Sequence, residues 1–325
     1  MLIGVAAALL IAAFSLWFTH WLSPNRPMTY GATFSKVYAQ YLELDWQDVY
    51  IASMDDLGIE AWRLPVYWSE IESEEGVYDW DALDWMMDEA AARDVDVTLA
   101  IGLKVPRWPE CFLPKWSLNR SQEEFDEQAL DFMTQTVERY RDHDALTRWQ
   151  VENEPFFPFG ECPSPSPQRI EREFALVRSL DSKHRILTTT SGEQSLWLLS
   201  ASHTDVLGVS LYREVYAPVV GSFVFPHPPF IYALQRALAE LFVDEVIISE
   251  LQAEPWFDGG LYEQDTSMEQ LYASFPVEDL HANVQFANAT GMNEVYFWGV
   301  EWWARLKEQG DDRLWNAARD IIGES

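Results

Sequence analysis

Two glutamates occupy comparable positions in this chain, each at the end of a short apolar run. Glu154 follows the run at residues 149–151, and Glu250 closes the run at residues 246–249. A carboxylate at the end of a buried strand costs free energy unless it has partners or a chemical task. Two carboxylates that face one cleft can share such a task, because one can donate a proton while the other stays ionised.

The rest of the chain alternates short apolar runs with amphipathic stretches, which predicts strands followed by helices. Strands are predicted at residues 28–33, 59–65, 95–102, 146–152, 185–190, 205–211, 245–249 and 294–298. Helices are predicted at residues 45–57, 79–93, 121–141, 167–180, 194–201, 230–241, 277–289 and 311–322. Eight such pairs predict an α/β fold, a (β/α)8 TIM barrel, rather than an open doubly wound sheet.

In such a barrel the chemistry takes place at the C-terminal ends of the strands. Glu154 ends the fourth predicted strand and Glu250 the seventh, so both are expected at the same mouth. The pair suits acid–base work on a glycosidic bond, with one carboxyl group protonated and the other ionised. Mutual repulsion and unequal burial would separate their pKa values. The competing interpretation is that each glutamate only forms an ion pair at a strand end.

The motif Asn153-Glu154-Pro155, combined with Glu250, resembles a large clan of retaining glycoside hydrolases built on (β/α)8 barrels. That clan includes cellulases, mannanases, xylanases and β-galactosidases, and the resemblance covers residues 30–303. It implies that Glu154 is the acid/base and Glu250 the nucleophile. The implied activity is hydrolysis of the β-glycosidic bonds of an oligo- or polysaccharide by double displacement, without a cofactor or metal ion.

The resemblance also implies four substrate-binding residues. Asn153 would hold the sugar hydroxyl next to the anomeric carbon, while Arg63 and Tyr212 would contact the nucleophile. Trp298, at the end of the eighth strand, would form the floor of the subsite for the reactive sugar. An ordinary ion pair for Arg63, and a place at the edge of the core for Tyr212, stay open as alternatives.

Three details qualify this resemblance. The third strand ends at Lys104, where many relatives carry a histidine, so the sugar preference could differ. Glu152 is a second acid near the fourth strand, but it lacks the flanking Asn and Pro of the motif. Trp302 and Trp303 are expected in the same mouth loop as Trp298.

Two other functions compete with hydrolysis. A transglycosylase would use a sugar acceptor in place of water at the same pair of carboxylates. A non-catalytic carbohydrate-binding or cell-envelope barrel would keep the cleft, although a binder has no need of two carboxylates. The formal net charge of −31 argues against nucleic acid as a partner.

Residues 2–22 are nearly all apolar, and about 20 such residues are what a helix needs to cross a bilayer. Trp17 and Trp21 suit the membrane interface. A cleaved signal peptide would normally begin with basic residues, which are absent before the run. We therefore predict a membrane anchor or uncleaved signal over residues 1–24 and a catalytic domain over residues 25–325. That domain is expected outside the cytoplasm and as a monomer.

The two cysteines, Cys111 and Cys162, do not have the spacing of a metal or redox motif. Both fall in loops predicted after consecutive strands, so a disulfide between them is geometrically possible. Two unpaired thiols are equally compatible with the sequence.

Overall fold

A computed structural model describes residues 27–163, 166–217, 221–256 and 266–324. Eight parallel strands close a barrel, in the order β1-β10-β9-β6-β5-β4-β3-β2 around its circumference. Their bounds are β1 Thr29–Thr33, β2 Ala61–Pro65, β3 Asp96–Ile101, β4 Leu146–Val151, β5 Arg185–Ser191, β6 Val206–Leu211, β9 Glu245–Gln252 and β10 Glu294–Trp298. A hairpin follows β6, formed by β7 (Glu214–Ala217) and β8 (Gly221–Val224). The predicted (β/α)8 barrel is therefore confirmed.

Helices cover the outside of the barrel between successive strands. In the described residues the α-helices are Lys36–Tyr41, Trp46–Asp55, Trp68–Ile71, Asp81–Ala91, Gln122–Tyr140, Pro167–Leu180, Trp197–Ala201, Pro229–Ala239, Met268–Ser274, Val277–Thr290, Val300–Glu308 and Arg313–Gly323. The helix Trp46–Asp55 is capped by the side chain of Asp45, as its sequence predicts. Ser121 and Glu124 form the predicted capping box of the helix Gln122–Tyr140.

The core has two layers, because successive side chains of a strand point to opposite faces. Inside the barrel lies a small cluster made of Ala61, Leu187, Val206, Ile247 and Tyr296. The larger layer fills the space between the strands and the helices. Side chains thus fill the barrel interior, and the ion pair of the buried Arg148 with Glu294 lies toward the N-terminal ends of β4 and β10.

The segment after β10 differs from the prediction. Gly299, at a φ of 153°, turns the chain directly from β10 into the helix Val300–Glu308. A Cβ atom at this position would lie 2.5 Å from the carbonyl oxygen of Ala253, so a side chain would not fit. Trp302 and Trp303 lie in that helix and are fully buried in the core. Their predicted position in a mouth loop is therefore wrong.

The predicted anchor at residues 1–24, and with it the domain boundary, falls outside the residues that the structure describes, and it stays a prediction. None of the helices in the described ranges combines the length and the apolar character required to cross a bilayer.

Candidate active site

Glu154 is fixed by a tight turn that follows β4. Glu152 and Glu154 have φ angles of 60° and 43°, in the left-handed region that side chains other than glycine rarely adopt. The backbone N–H of Glu154 donates to Oγ1 of Thr189 on β5, at 2.8 Å. Its carbonyl oxygen accepts a hydrogen bond from Nζ of Lys104, at 3.2 Å. Contacts from two neighbouring strand ends therefore hold this turn at the mouth.

Glu250 reaches the barrel interior through a bulge in β9. Val209 and Ser210 of β6 pair with Ile248 and Glu250, so the register skips Ser249. Ile248 and the residue after Glu250, Leu251, both belong to the core layer outside the barrel. The extra residue between them lets Ser249 and Glu250 both point inward, which strict alternation would not allow.

Arg63, buried in the middle of β2, joins the two glutamate-bearing segments. Its Nη1 forms an ion pair with Oε1 of Glu250 at 2.8 Å. Its Nη2 donates to Oδ1 of Asn153 at 2.7 Å, and its Nε donates to Oε1 of Gln150 at 2.6 Å. The planar guanidinium group can satisfy all three acceptors at once because its donors diverge in a fixed fork.

The two glutamates have different hydrogen-bond donors. The hydroxyl of Tyr212 donates to Oε2 of Glu250 at 3.0 Å, which adds to the ion pair with Arg63. Oε1 of Glu154 instead accepts a hydrogen bond from the hydroxyl of Ser210 at 2.7 Å. One carboxylate is thus compensated by a cation, while the other is held by a neutral donor.

This difference affects the protonation of Glu154. Burial, and after it the negative charge of Glu250, raise the pKa of Glu154 to about 7, whereas the hydrogen bond from Ser210 opposes the increase. Glu154 is therefore able to keep its proton near neutral pH. The arrangement offers one protonated carboxyl group and one ion-paired carboxylate at the same mouth.

A third carboxylate, which the sequence did not single out, lies behind this pair. Oε1 of Glu110 accepts from Nδ2 of Asn153 at 3.3 Å, and its Oε2 is 3.1 Å from Nζ of Lys104. Burial raises the pKa of Glu110 to about 8, although the charge of Lys104 opposes this. Its position depends on the path of the loop after β3, which no local pattern in the sequence reveals.

The loops after β3 and β4 are joined in several ways. Both carboxylate oxygens of Glu152 accept backbone N–H groups, those of Leu103 and Lys104, at 2.9 and 3.0 Å. Cys111 and Cys162 form a disulfide with a Cα–Cα distance of 5.2 Å. The sequence is compatible with either a disulfide or two unpaired thiols, and the structure contains the disulfide. Glu152 and the disulfide therefore hold the loop after β3 against the loop after β4, which carries Glu154.

Trp298 lies at the mouth, and a cation covers one of its faces. The guanidinium carbon of Arg107 is 4.3 Å from the centre of the Trp298 ring and 3.9 Å from that of Tyr38. Arg107 also forms ion pairs with Glu254 and with Glu301, the latter at 3.0 Å. Trp298 can therefore offer a substrate only its other face.

Aromatic side chains form a row along the rim. The rings of Trp108 and Phe159 are 5.7 Å apart, those of Phe159 and Trp256 are 6.0 Å apart, and those of Trp256 and Tyr212 are 5.5 Å apart. Trp108 is 60% exposed at the outer end of this row. Such rings provide flat apolar surfaces with polar edges, which suit the faces of sugar rings.

A closed (β/α)8 barrel with two buried glutamates at its C-terminal mouth is the arrangement expected from the resemblance to the (β/α)8 glycoside hydrolases. Comparison with known families agrees with this: residues 38–120 match the family Glyco_hydro_42, described as β-galactosidase. The matched segment includes Arg63, Lys104 and Glu110 but ends before Glu154 and Glu250. The predicted resemblance to the clan of (β/α)8 glycoside hydrolases is confirmed.

Solved structures share the fold at low sequence identity. A GH5_18 protein from Streptomyces cattleya, in complex with GlcNAc, is 16% identical with a TM-score of 0.57, over 84% of this chain and 71% of that one. A β-galactosidase from the psychrophilic Marinomonas ef1 is 13% identical with a TM-score of 0.60, over 91% and 59%. A GH10 endo-β-1,4-xylanase from Gloeophyllum trabeum is 16% identical with a TM-score of 0.56, over 84% and 85%. The chain thus spans little more than half of the β-galactosidase.

Proposed function

We propose that this protein is a retaining glycoside hydrolase that cleaves β-glycosidic bonds of an oligo- or polysaccharide by double displacement. The observation that carries the proposal is the unequal environment of the two glutamates. Arg63 and Tyr212 hold Glu250 as a carboxylate suited to attack, and burial raises the pKa of Glu154 to about 7, as a proton donor requires.

In the first step, a carboxylate oxygen of Glu250 forms a bond to the anomeric carbon while the bond to the leaving oxygen breaks. Glu154 gives its proton to that oxygen, so the leaving group departs as a neutral alcohol. The product is a glycosyl ester on Glu250, and Glu154 is left as a carboxylate.

In the second step, Glu154 removes a proton from water, and the water oxygen attacks the anomeric carbon as the ester bond to Glu250 breaks. The ester no longer carries the negative charge that raised the pKa of Glu154 in the free enzyme. Loss of this repulsion stabilises Glu154 as a carboxylate, which is the form that a general base needs. Two inversions restore the original anomeric configuration.

We assign supporting roles to the residues around the pair. Arg63 and Tyr212 orient Glu250, since both donate hydrogen bonds to its carboxylate. Asn153 binds the hydroxyl next to the anomeric carbon from a position fixed by its bond to Arg63. The uncovered face of Trp298 forms the floor beneath the reactive sugar.

We also propose that residues 2–22 anchor the protein in a membrane, with the barrel outside the cytoplasm. The length of the apolar run supports the anchor. The disulfide between Cys111 and Cys162 supports the location, because thiols in the cytoplasm are kept reduced. Protease added to intact cells should digest the barrel; complete protection that disappears on lysis would contradict this location.

The enzymatic proposal is tested with a panel of aryl β-galactosides, β-glucosides, β-mannosides and β-xylosides. Glu250→Gln should lower turnover of the preferred substrate by several orders of magnitude, because glutamine is a poor nucleophile. Glu75→Gln is a matched control, since Glu75 is exposed and its side chain contacts the surface groups Arg120 and Gln128. Equal melting temperatures of the variants would show that folding is intact.

The stereochemistry of the product provides a second readout. NMR spectra recorded early in the reaction should show the β-anomer first, before mutarotation. An initial α-anomer, or undiminished activity of Glu250→Gln, would contradict double displacement at this pair. Binding of oligosaccharides without turnover of any member of the panel would favour the non-catalytic barrel instead.

A further inference from the structure

The helix Pro229–Ala239 carries an exposed apolar stripe on the outside of the barrel. Phe230, Leu234 and Leu238 are spaced four residues apart, so they lie on one face of the helix. Leu241 and Phe242, in the turn that leads into β9, continue the stripe and are 74% and 63% exposed.

The neighbouring helix Trp197–Ala201 extends this surface. Its buried face contacts the helix Pro229–Ala239 through the rings of Trp197 and Tyr232, which are 6.2 Å apart. Its outer side exposes three further leucines. We call the whole surface the apolar ridge; it consists of Leu196, Leu198, Leu199, Phe230, Leu234, Leu238, Leu241 and Phe242. Exposed apolar side chains grouped on adjacent helices are typical of a protein or membrane interaction site.

The helical part of the apolar ridge is free of acidic residues in an otherwise acidic chain, whereas the exposed Glu240 and Asp244 flank Leu241 and Phe242. The protein has 53 Asp and Glu residues among 325. None occurs at residues 194–204 or 215–239, the two stretches that supply six of the eight ridge residues. A second copy of the chain would bring another net charge of −31 to this surface, whereas a lipid surface of zero net charge would not repel it.

The position of the ridge matches the entry of the predicted anchor. All barrel strands are parallel, so the turn that holds Leu241 and Phe242 lies at the same rim as the start of β1, Thr29. Only β10 separates β9 from β1 around the barrel. Residues 2–22 precede Thr29 by a few residues. The proposed anchor would therefore join the barrel at the same rim at which the ridge ends.

We propose that the apolar ridge rests on the surface of the bilayer that holds residues 2–22. The proposal rests on the membrane anchor under Proposed function and is independent of the enzymatic activity. Its leucine and phenylalanine side chains enter the boundary between headgroups and acyl chains, as the apolar faces of interfacial helices do. The barrel is then tilted, with the β6 and β9 side toward the lipid and the β2 side toward water.

The test uses the full chain with vesicles of phosphatidylcholine. An environment-sensitive fluorophore is attached to one introduced thiol, at Leu238→Cys or Phe242→Cys; the native cysteines are occupied by their disulfide. Val77→Cys is the matched control, because Val77 is 59% exposed and follows β2, which lies opposite β6 in the barrel. Quenching by nitroxide-labelled lipid should be several-fold stronger at positions 238 and 242 than at 77. Quenching by aqueous iodide should show the reverse order.

Each outcome bears on a separate proposal. If the chain floats with vesicles but the labels at 238 and 242 behave like the label at 77, the ridge proposal is overturned and the anchor stands. If the chain does not float, both are overturned. If positions 238 and 242 are shielded from iodide but are not quenched by labelled lipid, protein covers the ridge, either a second copy of the chain or residues 2–22. This outcome would also overturn the ridge proposal.

Discussion

Replacing Ser210 by alanine tests the electrostatic reasoning about the proton donor. The hydroxyl of Ser210 donates to Oε1 of Glu154 at 2.7 Å and stabilises the ionised carboxylate. Ser210→Ala removes this donor and leaves the burial of Glu154 and the charge of Glu250 in place. The pKa of Glu154 should therefore rise above its value of about 7.

The size of this change follows from the energy of one hydrogen bond to a charged group. Such bonds contribute about 1.5–3 kcal/mol, and one pKa unit corresponds to roughly 1.36 kcal/mol. The full effect would thus be about 1–2 units by these values. A water molecule that enters the space of the lost hydroxyl would restore part of the stabilisation, so we expect an increase of about one unit.

The assay is the pH dependence of kcat/KM with an aryl glycoside whose leaving group needs protonation. Because the proposed mechanism requires a protonated Glu154 in the free enzyme, activity should fall as the pH rises through its pKa. In Ser210→Ala this alkaline limb should move to higher pH by about one unit. Ser249→Ala removes a buried hydroxyl from the neighbouring strand and should leave the limb in place. An alkaline limb that stays fixed, or moves to lower pH, in Ser210→Ala would refute the reasoning.

Three further predictions concern stability and the ion pair. Since the pKa of Glu154 rises from 4.5 to about 7 on folding, folding stability falls as the pH rises through this window. Urea titrations should therefore show Glu154→Gln more stable than the wild type by about 3 kcal/mol at pH 8 and equal to it at pH 4. Arg63→Met removes the cation that pairs with the buried Glu250 and should lower the free energy of unfolding by about 3–5 kcal/mol in the same titration at pH 7. Arg93→Met, which removes a surface ion pair, is the control. A smaller loss of stability in Arg63→Met than in Arg93→Met would contradict the prediction. Replacing both cysteines by serine opens a 51-residue loop and should lower the free energy of unfolding, measured by calorimetry, by about 4 kcal/mol. Dithiothreitol should destabilise the wild type, which has the disulfide, and should leave the stability of the variant unchanged.

The sequence predicted the barrel well because its strands are short apolar runs buried on both faces, which differ clearly from the amphipathic helices. The predicted strand at residues 294–298 and the predicted helix at residues 167–180 coincide with Glu294–Trp298 and Pro167–Leu180. The prediction that Glu154 and Glu250 share one mouth needed only the strand count and the rule that parallel strands end on the same side.

Partners supplied by the register of other strands could not be predicted. Gln150 and Ser210 are polar residues inside apolar runs, a pattern that marks them as unusual without identifying what they contact. The bulge at Ser249 leaves no trace in the alternation of β9, although it brings Glu250 inside. Short elements, such as the helix Met268–Ser274 and the β7–β8 hairpin, are too brief to establish a period.

The cation behind Trp298 has a consequence for the proposed role of this ring as the floor of a sugar subsite. The positive charge of Arg107 attracts the π electrons of the indole toward the covered face. The opposite face then carries a weaker negative potential, and the slightly positive C–H groups of a sugar are attracted to it less strongly than to an isolated indole. In the proposed enzyme, a sugar ring bound there would be retained mainly by its contact area, so a cleaved sugar would leave this floor more easily than it would leave a bare tryptophan.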